Sequence, residues 1–217
     1  MITNTKLASR RLLLRRIAGL MCLLPLHGIA ATLKLTPQQT AGPFYPSEPP
    51  ADEDNDLTQV QGHAGKARGQ HTELAGRILD RNGDPVRNSR VEIWQCDAGG
   101  RYHHPRDRDD RRPLDPAFQG FGLTHSDELG RYRFRTIRPV PYPGRTPHIH
   151  MAVFPQGHTP FVTQIYVLGE PRNDKDFLFT RIPTEQQQLV LARFTPANAP
   201  GLVFTTQFDV VLDVTPG

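Results

Sequence analysis

Residues 132–154 read YRFRTIRPVPYPGRTPHIHMAVF and contain two β-rich runs, 132–137 and 148–154, separated by a stretch of prolines and one glycine. β-Branched and aromatic residues favour extended strands, whereas proline and glycine interrupt them. The two runs are therefore predicted to be strands joined by an irregular loop. Because helical periodicity is weak here and elsewhere in the chain, an all-β fold is expected.

Similar short runs recur from residue 73 to the end of the chain. The whole chain of 217 residues contains 18 glycines and 21 prolines, the residues that most often interrupt strands. They alternate with turn signals such as Asn82-Gly83-Asp84-Pro85 and Gly99-Gly100. This spacing predicts a single β-sandwich domain over residues 73–217, with a short helical turn at 184–188. The other predicted strands are residues 74–79, 91–96, 161–168, 189–194 and 202–212.

Two segments do not fit the strand pattern. Residues 32–72 are polar and broken by prolines, which indicates an N-terminal arm that wraps the sandwich and not a second core. Residues 106–112, RDRDDRR, carry charges of both signs that nearly cancel. This run is interpreted as a solvated loop, because a recognition patch would carry an excess of one sign.

The first 31 residues predict an export signal. Five basic side chains and no acidic one precede an apolar stretch and small residues, and residues 9–14, SRRLLL, resemble a twin-arginine signal. We therefore expect a periplasmic or secreted protein with no membrane association after cleavage. Cleavage after Ala30 or Ala31 removes Cys22 and leaves Cys96 alone, so no intramolecular disulfide is expected. The remainder holds 21 basic and 22 acidic residues, which argues against nucleic-acid binding.

Candidate metal ligands lie at the start of the second quoted run and before it. Side chains two apart on a strand share a face, so His148 and His150 can chelate one ion, although two hydrogen-bonded histidines would show the same spacing. Tyr142 lies between two prolines that fix its backbone, and Tyr102 follows Gly99-Gly100. Tyr102 alone is equally well read as a loop aromatic that covers the sandwich edge. Two phenols and two imidazoles suit ferric iron better than zinc.

Several motifs with their spacing intact resemble the intradiol ring-cleavage dioxygenases, nearest to the protocatechuate 3,4-dioxygenase type. These motifs are TAGPFYP (40–46), VEIWQ (91–95) with AGGRY (98–102), PLDP (113–116), YRFRTIRP (132–139), and PYP (141–143) leading to PHIH (147–150). They cover roughly residues 40–170. The resemblance implies a β-sandwich of the intradiol dioxygenase, or prealbumin-like, type.

The resemblance also implies a ferric, non-heme site and its chemistry. It makes Tyr102, Tyr142, His148 and His150 the iron ligands, with Tyr142 released when substrate chelates. It makes Arg145 the arginine beside the reacting ring, where its charge stabilises negative charge on the organic fragment. It places Gln164, which by itself would be read as an outward-facing strand residue, near the oxygen site. The implied reaction inserts O2 between the hydroxyl-bearing carbons of a small aromatic diol and gives a muconate-type diacid.

Other readings stay open from the sequence. The same sandwich occurs in non-catalytic ligand-binding modules, and a metal hydrolase could be built from His148, His150 and Glu170. The loop from Tyr142 to His148 is shorter than in the protocatechuate enzyme, which leaves the substrate open, and a homo-oligomer is also left open. Trp94, Phe134 and Phe154 are expected to fill the core.

Overall fold

The computed structural model describes residues 32–48, 50, 52–109 and 111–215 of the chain. The predicted export signal, residues 1–31, lies outside them. Ten strands are present, at His71–Asp80 (β1), Arg90–Trp94 (β2), Phe121–His125 (β3), Arg131–Ile137 (β4), His148–Phe154 (β5), Phe161–Val167 (β6), Leu191–Ala192 (β7), Thr195–Pro196 (β8), Phe204–Gln207 (β9) and Val210–Leu212 (β10). The helical segments are one α-helix, Thr184–Gln187 (α1), and the 3-10 turns Asn173–Lys175, Phe179–Arg181 and Gln188–Val190.

The strands form two five-stranded sheets, which confirms the predicted all-β sandwich. In one sheet β1 pairs antiparallel with β4, and parallel with β9 and β10, while β8 extends the sheet beyond β9. The other sheet has the order β3-β2-β5-β6-β7. In it β5 is the central strand, antiparallel to both β2 and β6.

The core lies where alternating apolar side chains of the two sheets meet. Leu74 of β1 and Phe134 of β4 pack in one cluster with Ile149 and Met151 of β5, and all four are fully buried. Phe134 is thus a core residue, as predicted. Phe154 is only partly buried and lies under the Arg90 guanidinium, whose carbon is 4.0 Å from the ring centroid. The prediction for Phe154 is confirmed only in part, because this side chain packs against the smaller buried cluster that contains Trp94 and Ala152 but is itself partly exposed.

The short strands are the least predictable part of the fold. Residues 189–194 form mostly a 3-10 turn followed by the two-residue β7, and residues 202–212 are split into β9 and β10. β3 was not predicted, because its short sequence FGLTH carries a glycine at the second position. The arm packs there: a Cβ atom on Gly122 would lie 2.4 Å from the Leu57 side chain. The helical turn predicted at 184–188 is present as α1.

The described residues from Thr32 to Gln70 form an arm without a helix or strand, and this arm is tied to both sheets. The Gln39 amide donates to the Val162 carbonyl oxygen at 2.8 Å, and the Leu57 amide donates to that of Arg135 at 2.7 Å. Leu57 is fully buried and belongs to the main core. The arm therefore covers sheet edges and reaches into the sandwich. Within the described ranges, no helix is long and apolar enough to cross a membrane.

Candidate functional site

The centre of the site is the outer face of β5, the strand that contributes its inner face to the core. Ile149 and Met151 point inward, so by strand alternation His148 and His150 point to the opposite face. His150 is aligned with Trp94 of β2 and Gln164 of β6. Both histidines are nevertheless 1% exposed. An additional layer of loops and arm must therefore cover this face.

The two imidazoles face each other through their Nε2 atoms, which lie 3.1 Å apart. The His148 Nδ1 atom is 2.7 Å from the Thr146 carbonyl oxygen. A carbonyl can only accept, so His148 carries its proton on Nδ1 and leaves a lone pair on Nε2. The His150 ring stacks on Trp94 with centroids 4.9 Å apart and planes 6° apart. These contacts hold both Nε2 atoms toward one point.

Two tyrosines complete the cluster from separate loops. Tyr102, which follows β2, is 3% exposed and packs in a buried cluster with Trp94 and Phe121. Tyr142 lies in the loop between β4 and β5 and is partly exposed. The ring centroids form a closed set, with 5.3 Å between Tyr102 and Tyr142, 5.5 Å between Tyr142 and His148, 4.7 Å between the histidines, and 6.3 Å between Tyr102 and His150. The four residues singled out in the sequence are thus brought together.

Burial shifts all four groups toward their neutral forms. It raises the pKa of Tyr102 well above its usual value and also raises the pKa of Tyr142, although the neighbouring Arg145 opposes the second shift. Burial lowers the pKa of His148 to about 3, with Arg145 adding to the effect, and lowers that of His150 well below its usual value. Neutral imidazoles are the form that binds metals, whereas the phenols need a cation to displace their protons.

The donor set fits a ferric ion. The Tyr102 hydroxyl is buried without a hydrogen-bond partner, and its ring centroid lies 6.3 Å from that of His150. Oxygen and nitrogen donors of this mixture suit ferric iron. Within residues 32–215 as described, no three His, Cys, Asp or Glu side chains are grouped to hold a metal. The hydrolase alternative is therefore wrong, and Glu170 instead pairs with Arg172 at 3.0 Å.

Arg145 lies beside Tyr142 and is held on three sides. Its Nε atom donates to Asp176 at 2.8 Å, its Nη2 atom donates to the Gln164 side-chain oxygen at 2.6 Å, and its Nη1 atom is 3.4 Å from the Tyr142 hydroxyl. Gln164 is fully buried and also donates from Nε2 to the Thr40 carbonyl oxygen at 3.1 Å. Read alone, Gln164 would have been placed on an outward face, but the arm covers that face.

Known proteins match both the sequence and the fold. A family model described as dioxygenase matches residues 40–214. The protocatechuate 3,4-dioxygenase beta chain of Burkholderia cepacia is 39% identical over 186 residues, which cover 80% of this chain and 79% of that one. The chain belongs to the intradiol ring-cleavage dioxygenase family. The resemblance drawn from the motifs is therefore confirmed, and members of this family use non-heme iron.

Two further matches show the breadth of the intradiol family around this chain. Hydroxyquinol 1,2-dioxygenase of Corynebacterium glutamicum is 33% identical over 150 residues, and the chain spans only 46% of its length. The dioxygenase domain of a dioxygenase and carbohydrate-binding protein fusion from Streptomyces sp. SirexAA-E has the same fold, with a TM-score of 0.65 and 28% identity. The match covers 84% of this chain and all of that domain.

Three residues of this intradiol site were not singled out as site residues in the sequence. Asp176, whose side chain is fully buried, holds Arg145 from 31 positions away, and nothing in its local sequence signals this role. Phe44 of the arm stacks on Tyr102 with centroids 4.4 Å apart, and its TAGPFYP motif was the available signal. Trp94 was assigned to the core and is indeed buried, but its ring packs against His150.

The charged run 106–112 is more than a solvated loop, which corrects its interpretation from charge balance. The Asp107 carboxylate accepts a hydrogen bond from the Tyr102 amide at 2.8 Å and so fixes the backbone of a candidate ligand. Together with Phe44, Tyr142 and Pro143, residues of this run line a cavity of about 540 Å³. The opposite charges of this run nearly cancel in the sequence. In the fold its side chains have different partners, which the charge balance alone does not predict.

Proposed function

We propose that this chain is a ferric intradiol dioxygenase whose iron is held by Tyr102, Tyr142, His148 and His150. The observation that carries the proposal is the convergence of the four rings, together with two imidazole Nε2 atoms that face each other and a buried Tyr102 hydroxyl that lacks a partner. Iron(III) supplies the withdrawal of electron density from a bound catecholate that lets O2 react with the ring. In the overall reaction the bond between the two hydroxyl-bearing carbons breaks, and both oxygen atoms enter the diacid product.

The two tyrosines have different environments and therefore different proposed tasks. Tyr102 is buried, its amide is fixed by Asp107, and Phe44 stacks on its ring, so it is the permanent ligand. Tyr142 is partly exposed and lines the cavity, so it is the ligand that gives way to substrate. As phenolate, its oxygen is the base placed to take a proton from a catechol hydroxyl in that cavity.

Arg145 is proposed to stabilise negative charge on the substrate, and Gln164 is proposed to orient the Arg145 guanidinium. The Arg145 guanidinium, 8% exposed in its side chain, lies next to the Tyr142 hydroxyl and stays charged because of Asp176. A fixed cation in a site with little water stabilises negative charge that develops on the organic fragment. Gln164 binds Arg145 and the arm together, and thereby limits the positions that the guanidinium can take.

The proposed substrates are protocatechuate-like catechols. The protocatechuate enzyme chain of Burkholderia cepacia matches over 80% of this chain at 39% identity, whereas the hydroxyquinol enzyme matches over 60% at 33% identity. The panel that tests this choice is protocatechuate, catechol and hydroxyquinol. The proposal expects the highest kcat/KM for protocatechuate, and a higher value for either of the other two would contradict it.

The iron site is tested on purified protein by metal analysis and visible absorption, before and after addition of protocatechuate under nitrogen. We expect one iron per chain and a tyrosinate-to-iron band that shifts with substrate. Tyr142→Phe should keep the fold but weaken colour and turnover, whereas His150→Ala should lose iron. His125→Ala, an exposed histidine on β3, is the control.

Two outcomes would overturn the assignment of the iron site. Full iron and turnover in His150→Ala would exclude the proposed ligands. A colourless protein that stays free of iron after reconstitution would favour the non-catalytic ligand-binding module.

Location and assembly are proposed from the leader and from the relatives. We propose that residues 1–31 direct export by the twin-arginine route to the periplasm or medium. Replacing Arg10 and Arg11 by lysine in the full chain should retain the protein in the cytoplasm, as cell fractionation would show.

We also propose that this chain forms an oligomer. The Burkholderia relative is named as the beta chain of its enzyme, which indicates an enzyme of more than one chain. Analytical ultracentrifugation would measure the oligomeric state.

A further inference from the structure

The cavity beside Tyr142 has one wall formed by the charged run and another formed by the site itself. Its lining residues in the run are Asp107, Arg108, Asp109, Arg111 and Arg112, and they face Phe44, Tyr142 and Pro143. The volume, about 540 Å³, lies in the range typical of small-molecule sites. A ligand in this cavity therefore contacts the tyrosine proposed to exchange with substrate and also meets the charges of the loop.

Most of these loop charges are already neutralised by one another. Asp109 receives the Arg111 Nε at 2.9 Å and the Arg112 Nε at 3.0 Å. Arg112 also donates to the Gly100 carbonyl oxygen, so its guanidinium is held by both Gly100 and Asp109. The Asp107 carboxylate accepts a hydrogen bond from the Tyr102 amide and thereby fixes the backbone at Tyr102. These contacts hold the loop in shape and leave few charges for recognition.

Arg108 is the exception. It is exposed, it lines the cavity, and in the described part of the chain no carboxylate lies within ion-pair distance of it. Of the three arginines among the described lining residues, Arg111 and Arg112 both pair with Asp109, which leaves Arg108 as the one without a carboxylate partner. An arginine fork binds a carboxylate through two parallel hydrogen bonds, which lysine cannot reproduce.

From this geometry we infer that Arg108 is a specificity-determining residue that binds an anionic substituent of the catechol ring. The inference rests on the proposed function and narrows it: the favoured substrates are catechols that carry a carboxylate. Discrimination comes from the single unpaired cation of the wall, while Tyr142 and the metal ligands act on the two hydroxyl groups that all catechols share.

The test compares protocatechuate with 3,4-dihydroxybenzamide, which has nearly the same shape but no charge. The variants are Arg108→Gln, Arg108→Lys and Arg106→Gln, the last being an exposed arginine of the same run that does not line the cavity. We expect Arg108→Gln to lower the acid-to-amide ratio of kcat/KM about three- to tenfold, as suits a partly screened charge pair. Arg108→Lys should recover part of the ratio, and Arg106→Gln should keep that of the wild type.

Binding is measured independently of turnover by the shift of the visible band in titrations under nitrogen. The dissociation constant of protocatechuate should rise in Arg108→Gln by a factor similar to the change in the kcat/KM ratio, and this difference should shrink at high salt. An unchanged ratio in Arg108→Gln, or an equal fall in Arg106→Gln, would overturn the inference while the dioxygenase assignment stands. A wild type without an iron band that cleaves neither compound would overturn both.

Discussion

Arg145 shows how one residue of the site depends on another that the reaction does not touch. Its pair with Asp176 is almost completely removed from water, with side-chain exposures of 8% and 0%. Two charges are costly to desolvate, and apolar side chains in their place would often stabilise the fold at least as much as the ion pair does. The pair instead fixes the direction of a guanidinium that also binds Gln164. Asp176 is therefore best described as the positioning residue for Arg145.

Asp176→Asn is expected to lower kcat/KM for catechols roughly tenfold or more, because a hydrogen bond to a charged group contributes about 1.5–3 kcal/mol. The asparagine oxygen can still accept from the Leu178 and Phe179 amides, which Oδ1 of Asp176 now serves, but the second acceptor, Oδ2, which receives the Thr146 amide and Arg145, is lost. We expect the loss mainly in kcat, together with a modest fall in Tm. Asp174→Asn, on the same 3-10 turn but exposed, should change neither. A lower Tm with unchanged kcat would reduce Asp176 to a structural role.

Cys96 should be an unreactive thiol at neutral and mildly alkaline pH. Burial, and after it the charge of Asp97, raise the pKa of this thiol to about 12, and its Sγ atom lies 3.6 Å from the Val140 carbonyl oxygen. Because the thiolate is the reactive form, alkylation of the native protein should be negligible and should become rapid after denaturation. The full chain with Cys22→Ser leaves this single thiol to titrate. Rapid stoichiometric labelling of the native protein would contradict the prediction.

At the scale of elements, β5 was the easiest to predict and the arm the hardest. In β5 the same alternation that buries Ile149 and Met151 places His148 and His150 on the other face, so the sequence contains both the strand and the paired ligands. The arm has no periodicity, and its partners are distant, as in the Gln39 contact with β6. Local patterns cannot identify contacts across more than a hundred residues, even where the arm residues themselves are recognisable.

The arm reaches the site at Gly42, which gives a prediction for this element. Gly42 has a φ of +72°, and a Cβ atom there would lie 3.4 Å from Cε1 of His150. Gly42→Ala should therefore cost about 1–2 kcal/mol in backbone strain and also displace the His150 ring. Gly62→Ala is a matched control, with a φ of +77° and nothing within 4 Å of the added atom.

Iron content, the visible band and Tm separate the two effects of these alanines. Both variants should lose similar stability because both place a side chain in the left-handed region. Only Gly42→Ala should shift the tyrosinate band or lower iron occupancy. Equal spectra in the two variants would mean that the arm does not restrain His150.

At the scale of the molecule, the sequence predicted the sandwich and the four converging rings but not what surrounds them. Strand alternation and motif spacing are local properties, and they were sufficient for β1, β2, β4, β5 and β6. The buried carboxylate Asp176 and the cavity wall that includes residues 107–109, 111 and 112 depend on how distant loops meet over β5. Charge balance within the run 106–112 does not predict which of its described side chains form ion pairs.

The candidate iron ligands come from three separate segments, and this predicts a coupling between metal and global stability. Tyr102 follows β2, Tyr142 lies between β4 and β5, and the histidines belong to β5 itself. An ion that binds only when these segments are assembled stabilises the fold by about 4 kcal/mol at a thousandfold excess over its Kd. For a chain of this size, removing it should lower Tm on the order of 10 °C.

Calorimetry of the iron-loaded and chelator-treated protein measures this difference in Tm, with iron content determined on the same samples. His150→Ala should unfold at the same temperature with or without chelator, because it lacks a ligand. The lower Tm of the treated wild type should be restored by ferric iron. If the loaded and treated wild-type proteins unfold at the same temperature although their iron contents differ, the ion does not bridge the three segments, and the four-ligand site is excluded.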